Sequence, residues 1–297
     1  IYAGRRIVQL PHFEADAWID LANEQGITHA MVVPTMLARI TERLDARGES
    51  IPTLRALSYG GGKMPLPIIE RALELLPDTA FVNAYGLTET SSTIALLGPD
   101  DHRIALASDD PMIRRRLTSA GKPLPSIELT IRDETGAEVG PDTPGEIWVR
   151  GEQVSGEYQG LGSSLNDEGW FPTHDGGWLD ADGYLFVTGR IDDVIIRGGE
   201  NISPGEIEEA LLRHPSVSEA ACIGVPHAQW GEVVCAAVVC DGDVQPGELQ
   251  EHVRETLRGS KVPEHVAFVE QLPYNDTGKL LRRKLRDELA HLGDDSA

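Results

Sequence analysis

Apolar residues in the first third of the chain follow two alternating patterns, one with helical spacing and one of short continuous runs. Residues 14–25 show the helical spacing, with apolar side chains on one face. Residues 28–33 form a short run that Pro34 closes, as is typical of a strand, and Thr35 is placed to cap the next helix. The alternation predicts an α/β layer with a mostly parallel sheet over residues 1–120. Further helices are predicted at 35–44 and 65–76, and further strands at 54–59 and 80–84.

The pattern changes near Gly121, where apolar runs shorten and Gly, Pro and Asp become frequent. Residues 127–131 and 146–150 alternate between apolar and polar positions, as half-buried strands do. The DADG sequence at 180–183 is typical of a hairpin turn before another short strand. Residues 121–190 are therefore expected to form a small antiparallel β subdomain.

Beyond Arg190 the chain mixes both patterns over a length that is usual for one small domain. We expect an α+β domain over residues 191–297, which ends in a basic helix whose Arg282 to Arg286 segment is solvated. Its other helices are predicted at 204–213 and 246–258, and its strands at 218–225, 233–240 and 265–269.

Composition and charge exclude some classes of function. Lys and Arg number 26 against 48 Asp and Glu, for a net charge of −22, and a nucleic-acid binder needs a positive surface instead. Hydrophobic residues make up 40% and charged residues 25%, a balance typical of globular domains. No run approaches the ~18 apolar residues that a membrane-spanning helix needs. We expect neither a nucleic-acid partner nor a transmembrane segment.

The cysteines and the N-terminus point to a reducing compartment. Cys222, Cys235 and Cys240 lie in or beside apolar runs and lack metal-ligand spacing, so we expect buried thiols and not disulfides. The first residues show no basic segment followed by an apolar one, as an export signal would. We therefore expect a cytoplasmic protein.

The NAYGLTET sequence at 83–90 follows a predicted buried strand, and α/β sheets bind ligands at the carboxyl ends of their strands. Gly86 permits close approach of backbone to a ligand, and Tyr85 offers a flat face for a base. Thr88 offers a hydroxyl, and Glu89 offers a hard oxygen for Mg²⁺. Taken alone, the same segment is equally consistent with a polar loop that contains a structural tyrosine.

The WFPTHD sequence at 170–175 places Asp175 where a carboxylate can accept both hydroxyls of a ribose. Arg190 follows the next predicted strand and can cover sugar or phosphate. The structural alternative is a turn aspartate with a surface ion pair, which contributes little to stability.

Two further segments carry glycines and charge. The RGGENISP sequence at 197–204 sets paired glycines ahead of a helix, and backbone N–H groups there can bind an anionic or carbonyl group. A glycine turn with a helix cap explains this segment equally well. The NDTGK sequence at 275–279 places Lys279 in a flexible turn from which an ammonium group can reach into a site.

In order and spacing, these segments resemble the adenylate-forming superfamily of AMP-dependent acyl-CoA synthetases and ligases. The most specific match is DADGYLFVTGRIDDVIIRGGENISPGEIEE at 180–209, and the resemblance runs from Ile7 to Leu289. It implies an α/β fold in which residues 1–190 are the C-terminal part of a large N-terminal domain that includes the β subdomain. Residues 191–297 would be the small mobile α+β domain that carries the adenylation lysine.

The resemblance also implies a role for each matching residue. Asp192 would be the hinge of the C-terminal domain, and Lys279, Thr88 and Glu89 would be catalytic, with Glu89 also binding Mg²⁺. The nucleotide would be bound by Gly61, Gly62, Asn83, Tyr85, Gly86, Thr88, Asp175, Arg190 and Arg197. Coenzyme A would be bound by Gly198, Gly199, Glu200, Asn201 and Trp230.

The implied reaction has two halves and uses ATP, Mg²⁺ and CoA. A carboxylate attacks the α-phosphorus of ATP to give acyl-AMP and pyrophosphate, and a thiol then attacks the acyl carbon and expels AMP. A cation at Lys279 suits the first half, because negative charge builds up between carboxylate and phosphorus. The expected enzyme is an acyl-CoA synthetase acting on a fatty or aryl acid, with fatty acid metabolism as its setting.

The chain departs from the family pattern at three places. The upstream Ser/Thr/Gly-rich phosphate-binding loop is not found, His174 stands where the family usually has Gly, and Ser260 stands where many CoA ligases have an aromatic residue. With Ile1 at the start, we expect a C-terminal fragment that is inactive alone and whose N-terminal half is a missing partner. Two alternatives stay open: an adenylating enzyme that loads a carrier protein, and a non-catalytic nucleotide-binding fragment.

Overall fold

The computed structural model describes residues 4–155, 157–158, 162–275 and 280–294. The chain divides into two compact units, each made of several segments. The domains 1–190 and 191–297 stay a prediction. Unit 1 comprises Ile1–Glu128, Arg150–Ser163 and Asp180–Phe186, and unit 2 comprises Leu129–Val149, Ser164–Leu179 and Val187–Ala297.

Helices begin where local signals place them. The Glu14 carboxylate accepts the N–H groups of Asp16 and Ala17 at 3.2 and 2.7 Å and caps the first helix. The predicted cap at Thr35 is wrong, because Val33 is the N-cap of the second helix and Pro34 takes its first turn, where a missing N–H costs nothing. The helices are α1 (Ala15–Glu24), α2 (Pro34–Arg47), α3 (Leu66–Leu75), α4 (Pro99–Ala107), α5 (Pro111–Arg114), α6 (Pro204–Leu211), α7 (Pro246–Thr256), α8 (Arg282–Leu289) and α9 (His291–Asp294).

The helices and strands confirm a mixed α/β fold with several sheets. Within the described ranges no helix is long and apolar enough to cross a membrane. The strands are β1 (His29–Val32), β2 (Ala56–Gly60), β3 (Ala80–Leu87), β4 (Ser92–Leu97), β5 (Lys122–Pro123), β6 (Ile127–Arg132), β7 (Gly145–Gly151), β8 (Glu157–Tyr158), β9 (Gly162–Ser163), β10 (Phe171–Leu179), β11 (Leu185–Arg190), β12 (Ile195–Arg197), β13 (Glu200–Ile202), β14 (Val217–His227), β15 (Gly231–Cys240) and β16 (His265–Phe268).

Unit 1 is built on a five-stranded sheet in the order β1-β2-β3-β4-β5. The first three strands are parallel, as predicted, while β4 and β5 are antiparallel additions. In the register, Val32 lies opposite Tyr59 and Tyr59 opposite Asn83, so the parallel strands end at one edge. Helices α1, α2 and α3 pack on the sheet, and the buried core contains Ile19, Leu37, Ile40 and Ile69 from the helices with Leu57 and Phe81 from the strands.

Unit 2 contains most of a four-stranded sheet in the order β11-β10-β7-β6, in which β10 and β7 are antiparallel. Its second sheet has the order β13-β12-β15-β14, with β16 parallel to β15. Alternate residues of β15 enter two different cores: Val234 packs with α6 and α7, and Cys235 packs with α8. This sheet is covered on both faces, which explains why β15 reads as one continuous apolar run.

The thiols and the basic helix differ in how they match the prediction. Cys222 and Cys235 are buried, as expected, and Cys240 is half-buried. The prediction that the Arg282 to Arg286 segment is solvated is wrong for Arg282. Its guanidinium donates to Glu208 Oε2 at 3.0 Å and to the Cys222 carbonyl at 2.9 Å. The side chain of Arg282 is only 20% exposed and is paired with the half-buried carboxylate of Glu208.

Candidate active site

A glycine turn lies at the edge of the unit 1 sheet where β1, β2 and β3 end. A Cβ on Gly60 would overlap the carbonyl of Ala84 on the neighbouring strand, so only glycine fits there. Gly61 has φ +80° and an exposed position, and the space around Gly62 is bounded by Pro34. Gly61 and Gly62 thus lie at the same sheet edge as the 83–90 loop.

The 83–90 loop is shaped by backbone contacts. Gly86 lies so close to the carbonyl of Ser92 that a Cβ would overlap it. The Asn83 amide is buried and donates to the Ser119 carbonyl at 2.8 Å, which gives this predicted adenine ligand a structural partner. Thr88 is exposed, and Tyr85 and Glu89 are half-buried.

Two residues that the sequence analysis missed hold this loop in place. Thr90 is fully buried; its hydroxyl accepts the N–H of Leu87 at 2.9 Å and donates to the Ser92 carbonyl at 2.8 Å. The amide of Gln153 donates to the carbonyls of Thr90 and Thr93 at 3.1 and 2.8 Å. Thr90 belongs to the NAYGLTET motif, whereas no sequence signal marked Gln153.

A buried tyrosine–histidine pair lies beneath the glycine turn. Tyr59 is the residue before Gly60, and its hydroxyl lies 2.8 Å from His102 Nε2. His102 Nδ1 lies 2.7 Å from the Gly98 carbonyl, so the ring donates there and accepts the tyrosine proton at Nε2. Burial lowers the pKa of His102 and raises the pKa of Tyr59. Both groups are therefore neutral links between β2 and α4.

In unit 2, Asp175 is carried on an irregularity of β10. Pro172 pairs with Trp148 and Gly176 with Glu146, so β10 has Thr173, His174 and Asp175 where β7 has Ile147 alone. Such a bulge breaks the ladder and redirects side chains, and bulges are over-represented next to active sites. The buried Thr173 hydroxyl donates to the Ile147 carbonyl at 2.8 Å and accepts the N–H of Asp175 at 3.1 Å.

Asp175 and Arg190, the two residues predicted to bind the ribose, are in contact with each other. Arg190 Nη1 lies 3.3 Å from Asp175 Oδ1 and 3.1 Å from the Thr173 carbonyl. The Asp175 side chain is 11% exposed and that of Arg190 is 40% exposed. A carboxylate so fixed can accept two neighbouring hydroxyl protons while the guanidinium balances its charge.

The RGGENISP segment forms a hairpin in which β12 and β13 are joined by Gly198 and Gly199. Both glycines have positive φ, +57° and +86°, as a two-residue hairpin turn requires. The N–H of Gly198 donates to the Trp230 carbonyl at 2.7 Å and is not available to an anion. Glu200 pairs with Arg197 in the ladder, and the Asn201 amide lies 3.3 Å from Glu134 Oε1.

Arg197 and Trp230 form one cluster beside this hairpin. The Arg197 guanidinium lies 5.4 Å from the centre of the Trp230 ring, and a Cβ on Gly198 would meet that ring at 2.7 Å. Trp230 is 41% exposed, so it offers a flat surface to a ligand. The predicted CoA residues Gly198 and Trp230 are therefore neighbours.

The cluster contains two residues that the sequence analysis missed. Arg197 Nη2 lies 3.3 Å from Glu264 Oε2, and His227 Nε2 lies 3.6 Å from Glu264 Oε1. His227 Nδ1 accepts the N–H of Trp230 at 3.2 Å, so the carboxylate links the arginine to the turn that carries the indole. No sequence motif marked either residue.

Comparison with known proteins decides the family. The profile of the AMP-binding enzyme family matches residues 1–159, and that of the AMP-binding enzyme C-terminal domain matches residues 206–279. The chain belongs to the AMP-binding enzyme family. A similar curated relative is the 2-succinylbenzoate–CoA ligase of Bacillus cereus strain Q1, which is 39% identical over 290 residues. That match covers 96% of this chain and 57% of the relative.

Solved structures of AMP-binding enzymes share the fold. The amide bond synthetase of Marinactinospora thermotolerans superposes with a TM-score of 0.83 at 33% identity, over 94% of this chain and 56% of that protein. The o-succinylbenzoate CoA synthetase of Bacillus subtilis in complex with its acyl-adenylate intermediate has a TM-score of 0.76 at 35% identity, over 93% and 54%. A structure of the same synthetase with ATP and magnesium ion has the same score.

The chain spans about half the length of the AMP-binding enzymes it matches. Lys279, the predicted adenylation lysine, lies outside the described residues. The predicted hinge Asp192 is exposed in a short turn. Its neighbour Asp193 forms an ion pair with Arg286, in which Arg286 Nη2 lies 3.1 Å from Asp193 Oδ1. Among the described residues no cluster of three His, Cys, Asp or Glu side chains is arranged to hold a metal. The Glu89 carboxylate has the oxygen chemistry that Mg²⁺ prefers.

Proposed function

We propose that the protein carrying this chain is an ATP-dependent acid–thiol ligase that makes an acyl-CoA through an acyl-AMP. The observation that carries the proposal is the 39% identity over 290 residues to a 2-succinylbenzoate–CoA ligase. We further propose an aromatic acid of that kind as the substrate. The sequence alone led us to expect a fatty or an aryl acid, and a fatty acid appears in the name of none of the proteins compared above.

In the first half-reaction the acid's carboxylate oxygen attacks the α-phosphorus of ATP, and pyrophosphate leaves. Thr88 is proposed to donate its exposed hydroxyl to the α-phosphate, and Lys279 to neutralise charge on the transferring oxygens. Asp175, held by Arg190 at 3.3 Å, would accept the ribose hydroxyls. Glu89 would hold Mg²⁺, which would supply neutralisation of negative charge.

In the second half-reaction a thiol sulfur attacks the acyl carbon and AMP leaves with its phosphate oxygen. The hairpin glycines and the exposed Trp230 are proposed to line the path of the thiol arm, because Gly198 leaves room for the indole. Asp192 is proposed as the pivot that lets one cleft serve both halves, since hinges need only a few residues at element ends.

The test is a pair of assays on the protein that carries this chain, with 2-succinylbenzoate, benzoate and palmitate as acids. We expect acid-dependent exchange of pyrophosphate into ATP, and thioester formation with CoA, to be fastest with 2-succinylbenzoate. Lys279→Ala is expected to slow adenylation by about 10²- to 10³-fold and to spare transfer from supplied acyl-AMP. Thioester formation without AMP release would contradict the proposal.

A second function is favoured by the match to an amide bond synthetase at 33% identity. In that case an amine nitrogen, and not a thiol, would attack the acyl carbon of the same acyl-AMP. The two functions separate when CoA is replaced by a primary amine in the assay. Amide formation that outpaces thioester formation at equal acceptor concentration would select the second function.

A further inference from the structure

A contact between a histidine and a glutamate lies at the bulge that carries Asp175. His174 Nδ1 lies 3.2 Å from Glu146 Oε1, and Glu146 Oε2 accepts the indole N–H of Trp148 at 2.9 Å. Glu146 and Trp148 are the two β7 residues whose partners, Gly176 and Pro172, flank the bulge. The pair therefore ties the middle of the bulge to the strand from which it departs.

The backbone at His174 has a conformation that favours glycine. His174 has φ +57°, in the left-handed region that glycine adopts freely and other residues adopt at a cost. Glycine would satisfy the same turn without that cost, but it would leave Glu146 with no partner on the bulge. Strained residues of this kind cluster at functional sites, where surrounding contacts hold them in place.

The other end of the tie is also anchored. The Arg132 guanidinium lies 4.8 Å from the Trp148 ring centre and 5.0 Å from the Trp170 ring centre, so it is stacked between two indoles. This stack fixes Trp148, which in turn fixes the Glu146 carboxylate. Glu146 can therefore hold His174 in one orientation even though the imidazole is 57% exposed.

We infer that Glu146 and His174 are positioning residues that fix the β10 bulge, so that the Asp175 carboxylate is aimed at the vicinal hydroxyls of a ribose. On the inner face, the Thr173 hydroxyl holds the bulge to Ile147 at 2.8 Å. On the exposed side of the bulge, the contact between Glu146 and His174 also holds the bulge to β7. The inference rests on the proposed function, because it takes Asp175 as the ribose ligand.

The experiment measures binding of AMP and of 2′,3′-dideoxy-AMP to the protein that carries this chain by calorimetry. His174→Gly keeps the backbone conformation and removes the tie, and it is expected to weaken AMP binding by about 5- to 10-fold. Binding of the dideoxy analogue, which lacks the hydroxyls, should change less than about 2-fold. Glu146→Ala should behave like His174→Gly, while Glu146→Gln, which keeps an acceptor oxygen, should restore most of the affinity.

Glu128→Gln is the matched control, because it breaks an exposed ion pair with Arg150 between β6 and β7. It should leave both affinities unchanged. Equal losses for AMP and the dideoxy analogue, or no loss in either tie variant, would overturn the inference while leaving the nucleotide site intact. Failure of the wild-type chain to bind AMP would instead overturn the nucleotide site of the proposed function, and the inference with it.

Discussion

The 83–90 loop of unit 1 and the β10 bulge of unit 2 carry groups predicted for one nucleotide, yet they are built differently. In the loop, Gly86 lies directly against the Ser92 carbonyl, so the shape requires a close approach of backbone to backbone in addition to the Thr90 and Gln153 hydrogen bonds. In the bulge, shape comes from side chains: Thr173 ties one face and Glu146 ties the other through His174. The loop requires that position 86 carry no side chain, whereas the bulge requires particular polar side-chain atoms.

This difference predicts how each region fails. Added atoms in the loop must displace backbone, so substitutions there should cost stability of the fold. Loss of a polar atom in the bulge leaves the strands paired, so substitutions there should cost binding. The four predictions below separate these two kinds of failure.

The largest effect is expected for Gly86→Ala, which places a methyl group onto the carbonyl of Ser92. Overpacking against backbone should lower the free energy of unfolding by about 3 kcal/mol or more, measured by urea unfolding followed by circular dichroism. Gly140→Ala is the control, because nothing lies within 4 Å of a Cβ there. Similar small losses in both variants would show that the loop is not shaped by this approach.

The next effect is on binding. Asp175→Asn keeps the shape of the side chain but removes the charge that strengthens hydrogen bonds to ribose, so AMP affinity should fall by about 30-fold, or ~2 kcal/mol. The unfolding free energy should change little. Asp142→Asn, at an exposed residue with φ 58° that asparagine tolerates, should leave AMP affinity unchanged. A loss of stability without a loss of affinity would reverse the contrast between loop and bulge.

A third effect tests whether unit 1 also depends on a polar side-chain contact, the buried pair of Tyr59 and His102. Tyr59→Phe leaves His102 Nε2 buried without its partner and should lower the unfolding free energy by about 1–2 kcal/mol. Tyr274→Phe removes a hydroxyl bonded to Glu219 at a half-buried position and should cost less. Equal costs would mean that the buried tyrosine–histidine link adds nothing special to unit 1.

The smallest effect is a pH dependence from the same pair. Burial lowers the pKa of His102, so the folded protein resists a proton that the unfolded chain accepts near its ordinary pKa of about 6.5. Stability should therefore be complete above that pH and decline as the pH falls through it. Urea unfolding at pH 5.5 and 7.5 should show a smaller pH difference in His102→Gln than in the wild type.

Much of this architecture could be predicted from sequence, because the apolar patterns that define α1, α3, β2 and β14 are long and regular. The parallel arrangement of β1, β2 and β3 followed from their alternation with helices. Two features were beyond sequence reasoning. The bulge depends on a register shift between Pro172 and Gly176 that no local pattern encodes, and the Glu264–Arg197 contact joins positions far apart in the chain.

The candidate site divides in the same way. Motif residues such as Asp175, Arg190 and the hairpin glycines could be predicted because they stand in recognisable segments. Gln153, Glu146 and His227 were missed, because each acts through a distant partner and is an ordinary surface residue by type. Arg282 was misjudged for the same reason, since its carboxylate partner Glu208 lies on another helix.

The two buried cysteines of unit 2 can report which of its two cores becomes exposed to solvent first. Cys222 lies in the core on one face of the β14–β15 sheet and Cys235 in the core on the other. Burial raises the pKa of both thiols, that of Cys235 to about 12, so neither is a nucleophile while the sheet is closed. An alkylating reagent therefore reaches each sulfur only when its own layer separates. The order in which the two are labelled would reveal which layer comes apart first.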